Sequence, residues 1–423
     1  MKHLLLALTY LAILAPSGFG AEITSLTWTD CIREASQNNP DLISAQKDVE
    51  ISTASKNITR SSLLPQISAN ASASRTRNNI ADSTAFSNSF SYGASVSQLI
   101  FDGAKTIDSY KEATQNLLAA KEGFSFSSST IRFNLRSAFI DLMRAQELIN
   151  VTENIAKIRK NAFDLISLKY ESGLEHKGSL LNAEASMEQA YAELKQAKRN
   201  LELKQMQLNR QMGRPELNPI QVTGIFSITE NLNIEPDLET LVKNHPSVKQ
   251  SIAKKNAAEY GLKSAYGGFF PTISASGNGR KSQSKWPPED NQLSLGITAS
   301  IPIFEGGLQK AQVDQAKSSF EKSTVQQIIT TEDTKINLKE MWNALQNNAD
   351  AVKVQETMLA ADEERAKIAE AQYSVGFMTY DNWTIIEDNL VQTKKAYLDA
   401  QANALLSEAA WINAKGEVLE YAN

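Results

Sequence analysis

The chain repeats itself once, and this restricts its fold more than any other feature. Asn38-Asn39-Pro40 recurs as Asn244-His245-Pro246. Leu63-Leu64-Pro65-Gln66-Ile67-Ser68-Ala69 recurs as Phe269-Phe270-Pro271-Thr272-Ile273-Ser274-Ala275. Both pairs are 206 positions apart. Ile100-Phe101-Asp102-Gly103 recurs as Ile303-Phe304-Glu305-Gly306, Tyr170-Glu171-Ser172-Gly173 as Tyr373-Ser374-Val375-Gly376, and Gly213 as Gly416. These three pairs are 203 apart. Two halves with one small length change between their strand motifs make a tandem duplication. Its first unit runs over 21–213 and its second over 236–423, with a Pro/Asn-rich divider at 214–235.

Proline placement locates the helices. None of the eleven prolines lies between Pro65 and Pro215 or after Pro302. Proline inside a helix costs ~3 kcal/mol, so these stretches permit long unbroken helices. The spacing predicts helices over about 104–172, 178–213, 305–375 and 381–416, and at ~1.5 Å per residue the first would reach ~100 Å. Leu180, Ala183, Met187, Ala190, Leu194, Ala197, Leu201 and Leu208 form a seam at alternating steps of three and four, which Lys204 alone interrupts. Trp383, Ile386, Leu390, Thr393, Tyr397, Ala400, Ala404 and Trp411 repeat it 203 residues later. Ile131, Leu135, Ala138, Leu142 and Ala145 begin a matching seam on the preceding arm. The pattern predicts antiparallel coiled coils folded back at Gly173–Gly178 and at Gly376.

Between the helices the period changes to two. Phe86, Asn88, Phe90, Tyr92, Ala94 and Val96 alternate with serines and Gly93. Leu293, Leu295, Ile297, Ala299 and Ile301 alternate with Ser294, Gly296, Thr298 and Ser300. Ile67, Ala69, Ala71 and Ala73, and Ile273 and Ala275, alternate more weakly. Each half thus holds two strands of about ten residues, at 66–78 and 86–101 and at 272–281 and 292–303, with polar loops at Arg75–Ala85 and Arg280–Asn291. One apolar and one Ser/Gly-rich face is the pattern of an outer-membrane strand. A soluble hairpin shares it, so the leader decides between them. Met1-Lys2-His3, the apolar Leu4–Ala15 and the small residues before a cut after Gly20 make residues 1–20 a secretory signal. No later segment has the ~20 apolar residues of a spanning helix. Four strands from one chain cannot close a barrel, and an open sheet edge does not survive in lipid. The chain must therefore oligomerise, and three copies supply twelve strands.

Composition excludes much else. One cysteine makes no intrachain disulfide and no Cys-rich metal site. Cys31 reads as a small buried helix residue. His176 and His245, both in polar sequence surroundings, are too few for a multi-histidine centre. A net charge of −5 gives no reason to expect nucleic acid. No Gly-rich Lys loop, HExxH or CxxC appears, so no cofactor is expected and the chain is expected not to be an enzyme. A hydrophobic fraction of 42% suits an elongated shape better than one large core.

The order of these motifs is leader, helix, Asn-Pro, Leu-Pro before a strand, Phe-Asp/Glu-Gly after a strand and Tyr-x-x-Gly at a helical turn, all but the leader duplicated. It resembles the TolC-like outer membrane efflux proteins over essentially the whole mature chain. The resemblance implies a mixed fold in which four transmembrane strands per chain join a homotrimeric 12-strand β-barrel set on a 12-helix α-barrel. It implies a Gram-negative outer membrane, a periplasmic tunnel, a periplasmic adaptor (membrane fusion protein) and an inner-membrane pump of the resistance-nodulation-division or ABC type. The implied activity is passive export of drugs or small toxic molecules.

The resemblance also implies site residues. Gly173-Leu174 and Val375-Gly376-Phe377 match the tip turns where adaptor hairpins dock, with Ser172 departing from the expected valine. Either glycine also reads simply as a left-handed helix end. Tyr170 and Tyr373 stand where family members make gating hydrogen bonds, or they are tyrosines packed at helix ends. Aspartates expected six residues past each tip glycine are here Ser179 and Asn382. Asp381 and Asp388, seven apart on one stripe, could replace that acidic entrance ring, or lie on a solvated outer face. Phe101, Phe269, Phe270 and Phe304 are expected to mark the periplasmic rim of the barrel in contact with outer-membrane lipid, with Phe86 and Trp286 toward the outer loops. Two rival readings are an outer-membrane component dedicated to protein secretion and a poreless periplasmic coiled-coil scaffold, which bilayer conductance separates from either duct.

Overall fold

The computed structural model describes residues 24–80 and 83–419; the signal segment at 1–20 lies outside them. In chain order the elements are β1 (Thr24–Leu26), α1 (Trp28–Asn38), α2 (Pro40–Ser61), β2 (Gln66–Ile80), β3 (Ser83–Phe101), α3 (Lys105–Glu171), α4 (Lys177–Met212), β4 (Ile220–Val222), α5 (Leu238–Asn244), α6 (Pro246–Gly267), β5 (Thr272–Gln283), β6 (Asn291–Ser300), α7 (Leu308–Ser374) and α8 (Tyr380–Ala414). α3 and α7 are 67 residues each, about 100 Å at helical rise. None of the described helices is long and apolar enough to cross a membrane.

The duplicated short motifs are where the chain bends. Asn39 caps α2 by accepting from the Leu42 amide at 2.9 Å, with Pro40 at the first helical position, where a missing N–H costs nothing. His245 does the same for α6, its Nδ1 accepting from the Ser247 amide. The polar surroundings expected for His245 are therefore a correction. Its ring is buried beside Phe126, because a cap must sit where the two helices meet. The equally spaced Gly213 and Gly416 end α4 and α8 in the left-handed region. A Cβ on Gly213 would lie 2.2 Å from the Asn38 carbonyl oxygen, and one on Gly416 2.5 Å from Pro246 Cδ. Each glycine thus closes its own repeat against that repeat's Asn-Pro or His-Pro bend.

Four of the six described strands form one antiparallel sheet ordered β2-β3-β5-β6. The β2–β3 ladder runs from Gln66↔Ser97 to Ile80↔Ser83, and β3 joins the second repeat through β5, with a bulge between Leu99 and Phe101. Two expected loops shrink. Most of Arg75–Ala85 is strand, and only 284–290 separates β5 from β6. Strand polarity misleads here, because a ladder satisfies backbone groups whatever the side chains, and polar Arg75, Thr76 and Arg77 extend β2 without penalty. β6 stops at Ser300, before Pro302 removes a donor. One face carries Ile67, Tyr92, Val96, Leu293, Leu295 and Ile297, and Leu295 is 80% exposed. The other face carries serines, Asn70, Asn278 and Thr298.

Two cores hold the middle of the molecule. In the first repeat Cys31, Ile32, Leu135, Phe139, Leu208 and Met212 pack with Ile220 and Val222 of a parallel β1–β4 pair, an element the sequence patterns do not reveal. In the second repeat Trp342 and Trp411 meet at 5.1 Å among Val242, Leu338 and Leu345. Lys204, the break in the α4 seam, reaches Asp141 of α3 at 2.7 Å.

Candidate functional site at the helix-turn tips

Both hairpins turn by the same local device. The Gly173 amide donates to the Tyr170 carbonyl at 3.0 Å and the Leu174 amide to the Lys169 carbonyl at 2.8 Å. The Gly376 amide donates to Tyr373 at 3.2 Å and the Phe377 amide to Gln372 at 2.9 Å. Both glycines have positive φ with nothing within 4 Å of an added Cβ. This is the helix end that favours glycine and sends the next residue outward. Leu174 and Val375 are accordingly exposed, and Phe377 is 88% exposed. The two turns thus present apolar side chains to solvent at one end of the molecule.

Behind the turns the hairpins differ. Tyr373 is 2% exposed. Its ring stacks on Trp383 with centroids 4.6 Å apart and meets Tyr380 edge-on. Its hydroxyl donates to Glu175 Oε2 at 3.0 Å, across to the turn of the other hairpin. Lys169 donates to the Tyr373 carbonyl at 2.8 Å and its ammonium sits 3.9 Å over the ring. Burial and the neighbouring Glu175 carboxylate push the Tyr373 hydroxyl well above the ordinary tyrosine range, so it remains a donor. Burial acts to raise Glu175, but bonds from the Ser179 hydroxyl, the Tyr373 hydroxyl and the His176 amide outweigh it and hold the carboxyl below its ordinary range. Tyr170, the counterpart of Tyr373, is 38% exposed.

The expected acidic entrance is rearranged. Ser179 is buried and its hydroxyl is committed to Glu175 at 3.0 Å. Asn382 and Asp381 are exposed in the first turn of α8, where the Asn382 amide donates to the capping Thr379. Asp388 is ion-paired to Arg159 of α3, whose guanidinium is buried. It is therefore a paired acid rather than a free one, although its own side chain is 60% exposed, because the α3 neighbour supplies a cation that α8's own periodicity cannot reveal. The acid missed by sequence reading is Glu387, 7% exposed. Burial raises its carboxyl above the ordinary range against the opposing pull of Arg159. It faces a cleft of about 400 Å³ that also holds Glu363, Glu370, Lys367 and Lys394. Its one sequence signal is its place next to the seam residue Ile386.

At the other end, Phe101 closes β3, Phe269 and Phe270 lead into β5, and Phe304 follows β6, all at the helix end of the sheet. Trp286 lies at the far end, 6.1 Å from Phe90 and 6.3 Å from Tyr92.

A sheet with a continuous exposed apolar face, carried on hairpins of helices about 100 Å long that end in open turns, is the build of a membrane-seated channel subunit. The chain belongs to the outer membrane efflux protein family, whose model matches residues 31–214 and 238–417. It is 21% identical to the outer membrane efflux protein BepC of Brucella suis over 94% of this chain and 87% of that protein. It is 22% identical to the outer membrane protein TolC of Escherichia coli over 96% and 85%. The CmeC outer membrane channel of Campylobacter jejuni shares its fold, with a TM-score of 0.84 and 20% identity over 93% of this chain and 86% of that one. The protein is therefore an outer membrane efflux protein.

Proposed function

We propose that three copies assemble into a 12-strand barrel over a 12-helix tunnel. That trimer would pass small toxic molecules or drugs passively from a periplasmic adaptor and an inner-membrane pump to the exterior. The carrying observation is the four-stranded sheet itself. Its outer strands β2 and β6 each have one unpaired edge, and an unpaired backbone group in hydrocarbon costs several kcal/mol. Pairing β6 of one copy with β2 of the next removes every edge. The Ser/Gly face would then line the lumen, and Phe101, Phe269, Phe270 and Phe304 would form the periplasmic rim. Energy for export comes from the pump.

The tips Gly173-Leu174 and Val375-Gly376-Phe377 are the proposed adaptor-docking surfaces. Gly173→Asp with Gly376→Asp should abolish adaptor crosslinking while trimers persist in the membrane. Loss of the trimers themselves would make the glycines purely structural. Tyr170, Tyr373, Ser179, Asp381, Asn382 and Asp388 remain the proposed entrance set, with Asp381 its one unpaired acid. Asp381→Ala should reduce cation preference in single-channel recording, and unchanged selectivity would remove Asp381 from the entrance. The absence of any conductance in planar bilayers would defeat the duct reading as a whole.

A further inference from the structure

The cations of the sheet are not placed at random with respect to its faces. The register sets Arg75 opposite Asn88, Arg77 opposite Phe86, and Lys281 in one row with Ala71, Tyr92 and Asn291. Directly paired residues share a face, so all three cations project from the apolar face, the one that carries Ile67, Val96, Leu293 and Leu295. Arg75 and Lys281 are 206 residues apart and are therefore the same position in the two repeats. Arg280 points the opposite way, bonded to Gln292 at 2.8 Å on the Ser/Gly face. From Gln98 to the outer end, no Asp or Glu lies on the apolar face of the four strands.

Their height is equally specific. Arg75 is eight residues beyond Ile67 and Lys281 eight beyond Ile273, or ~27 Å along a strand and ~21 Å after a ~40° tilt. An outer-membrane apolar band is ~25 Å tall. The side chains start near its outer edge, and their long stems carry the charges beyond it. The same level is aromatic. The Arg75 guanidinium lies 4.6 Å and that of Arg77 5.9 Å from the Phe86 ring centroid, while exposed Trp286 leans over Phe90 and Tyr92. A guanidinium attracted to a ring face keeps N–H donors free for anionic oxygens.

We infer that Arg75, Arg77 and Lys281 form a lipid-facing site for the phosphate groups of a phosphorylated glycolipid in the outer leaflet, whose acyl chains lie along Tyr92, Leu293 and Leu295. Cations carried to the headgroup level meet anionic groups there, and a phosphate takes a bidentate guanidinium. Lys281 sits level with Ala71, four residues before Arg75 and two strands across, which sets the two Cα atoms ~17 Å apart, so the long side chains of the two repeats would reach separate phosphates of one bisphosphorylated lipid. The inference rests on the sheet's apolar face meeting lipid, as the duct reading requires.

The test uses the full chain in phosphatidylcholine nanodiscs doped with bisphosphorylated lipid A, with retained lipid A counted by native mass spectrometry. Arg75→Gln with Arg77→Gln and Lys281→Gln should lower retention at least tenfold. The charge-keeping Arg75→Lys with Arg77→Lys should fall between the unaltered chain and the triple variant, because the charge remains and the bidentate fork is lost, and Arg280→Gln should leave retention unchanged. Dephosphorylated lipid A should be retained no better than by the triple variant, and millimolar inorganic phosphate should not displace the lipid. Undiminished retention by the triple variant, an equal loss in Arg280→Gln, or displacement by free phosphate would overturn the site. Conductance in the same lipid separates the two readings, since lipid A held through these cations by a chain that does not conduct would defeat the duct and leave the site standing.

Discussion

The two hairpin tips share a turn and differ in everything behind it. Gly173 and Gly376 close α3 and α7 with the same pair of backbone bonds, yet Tyr373 is buried and Tyr170 is not. Duplication arithmetic explains the difference. Tyr380 and Trp383, which pack on Tyr373, correspond 203 residues earlier to Lys177 and Leu180. Lys169 and Glu175, which reach Tyr373 from the first hairpin, correspond to Gln372 and Met378. Gln372 has no charge to place over a ring, and Met378 is a weak acceptor. One tyrosine therefore acquired a complete set of partners and ties the hairpins of one chain together, while the other kept its position and lost the chemistry. A duplicated motif reports a shared backbone geometry and does not guarantee a shared function.

The largest effect that would break this contrast is Tyr373→Ala. Removing a fully buried stacked ring should cost about 3 kcal/mol of local stability, read as faster hydrogen exchange across residues 365–390. Trp383→Leu, which installs the first repeat's residue, should cost somewhat less, ~2 kcal/mol. The indole N–H is buried without a partner, and its removal offsets part of the lost packing. If exchange is unchanged, the stack is not what buries Tyr373. Tyr373→Phe keeps the ring and deletes only the donor to Glu175, and the expected loss is ~1 kcal/mol.

A pH series separates the tip from the cleft behind it. Glu175 has a lowered folded pKa. Its contribution is complete above the ordinary glutamate value of ~4.3 and disappears as pH falls through the lowered one. Glu387 has a raised folded pKa, so its contribution is present in acid and disappears as pH rises through the raised value. Protection factors around Glu387, taken relative to the intrinsic exchange rate at each pH, should therefore rise on acidification from neutrality, an effect that Glu387→Gln abolishes, while the Tyr373–Glu175 link stays unchanged until the solution is more acidic still. Parallel behaviour of the two regions would refute the assignment. The smallest effect is expected of Tyr170→Ala, within ~0.5 kcal/mol in the same exchange measurement. A loss matching that of Tyr373→Ala would show the two tips to be equivalent after all.

Much of the architecture is legible because long-range order here follows from one-dimensional rules. Proline-free stretches with a three-four seam leave a chain little option but long paired helices, and alternation over ten residues leaves little but a strand with one apolar face. The site is less legible. Asp388 looks like an open acid on α8 because periodicity describes one helix, whereas its partner Arg159 stands on α3. Ser179 occupies the expected position after the turn, but its hydroxyl is drawn inward by Glu175. Arg75 and Arg77 fall where the expected strand at 66–78 and the expected polar loop overlap, and only the ladder shows that they lie in the strand and on the apolar face of the sheet.

By itself, then, the sequence determined the duplication, the bends at Asn-Pro and at the glycines, the lengths of the helices and the faces of the strands. These depend on backbone stereochemistry and on the periodicity of side chains along a single element. Which charges are neutralised, which of two matching tyrosines is buried, how far the ladder extends, and the joining of the repeats through β3 and β5 come from the packing of elements against one another. Those outcomes depend on which elements become neighbours, and the energy of a buried charge or ring is set by the groups across the contact.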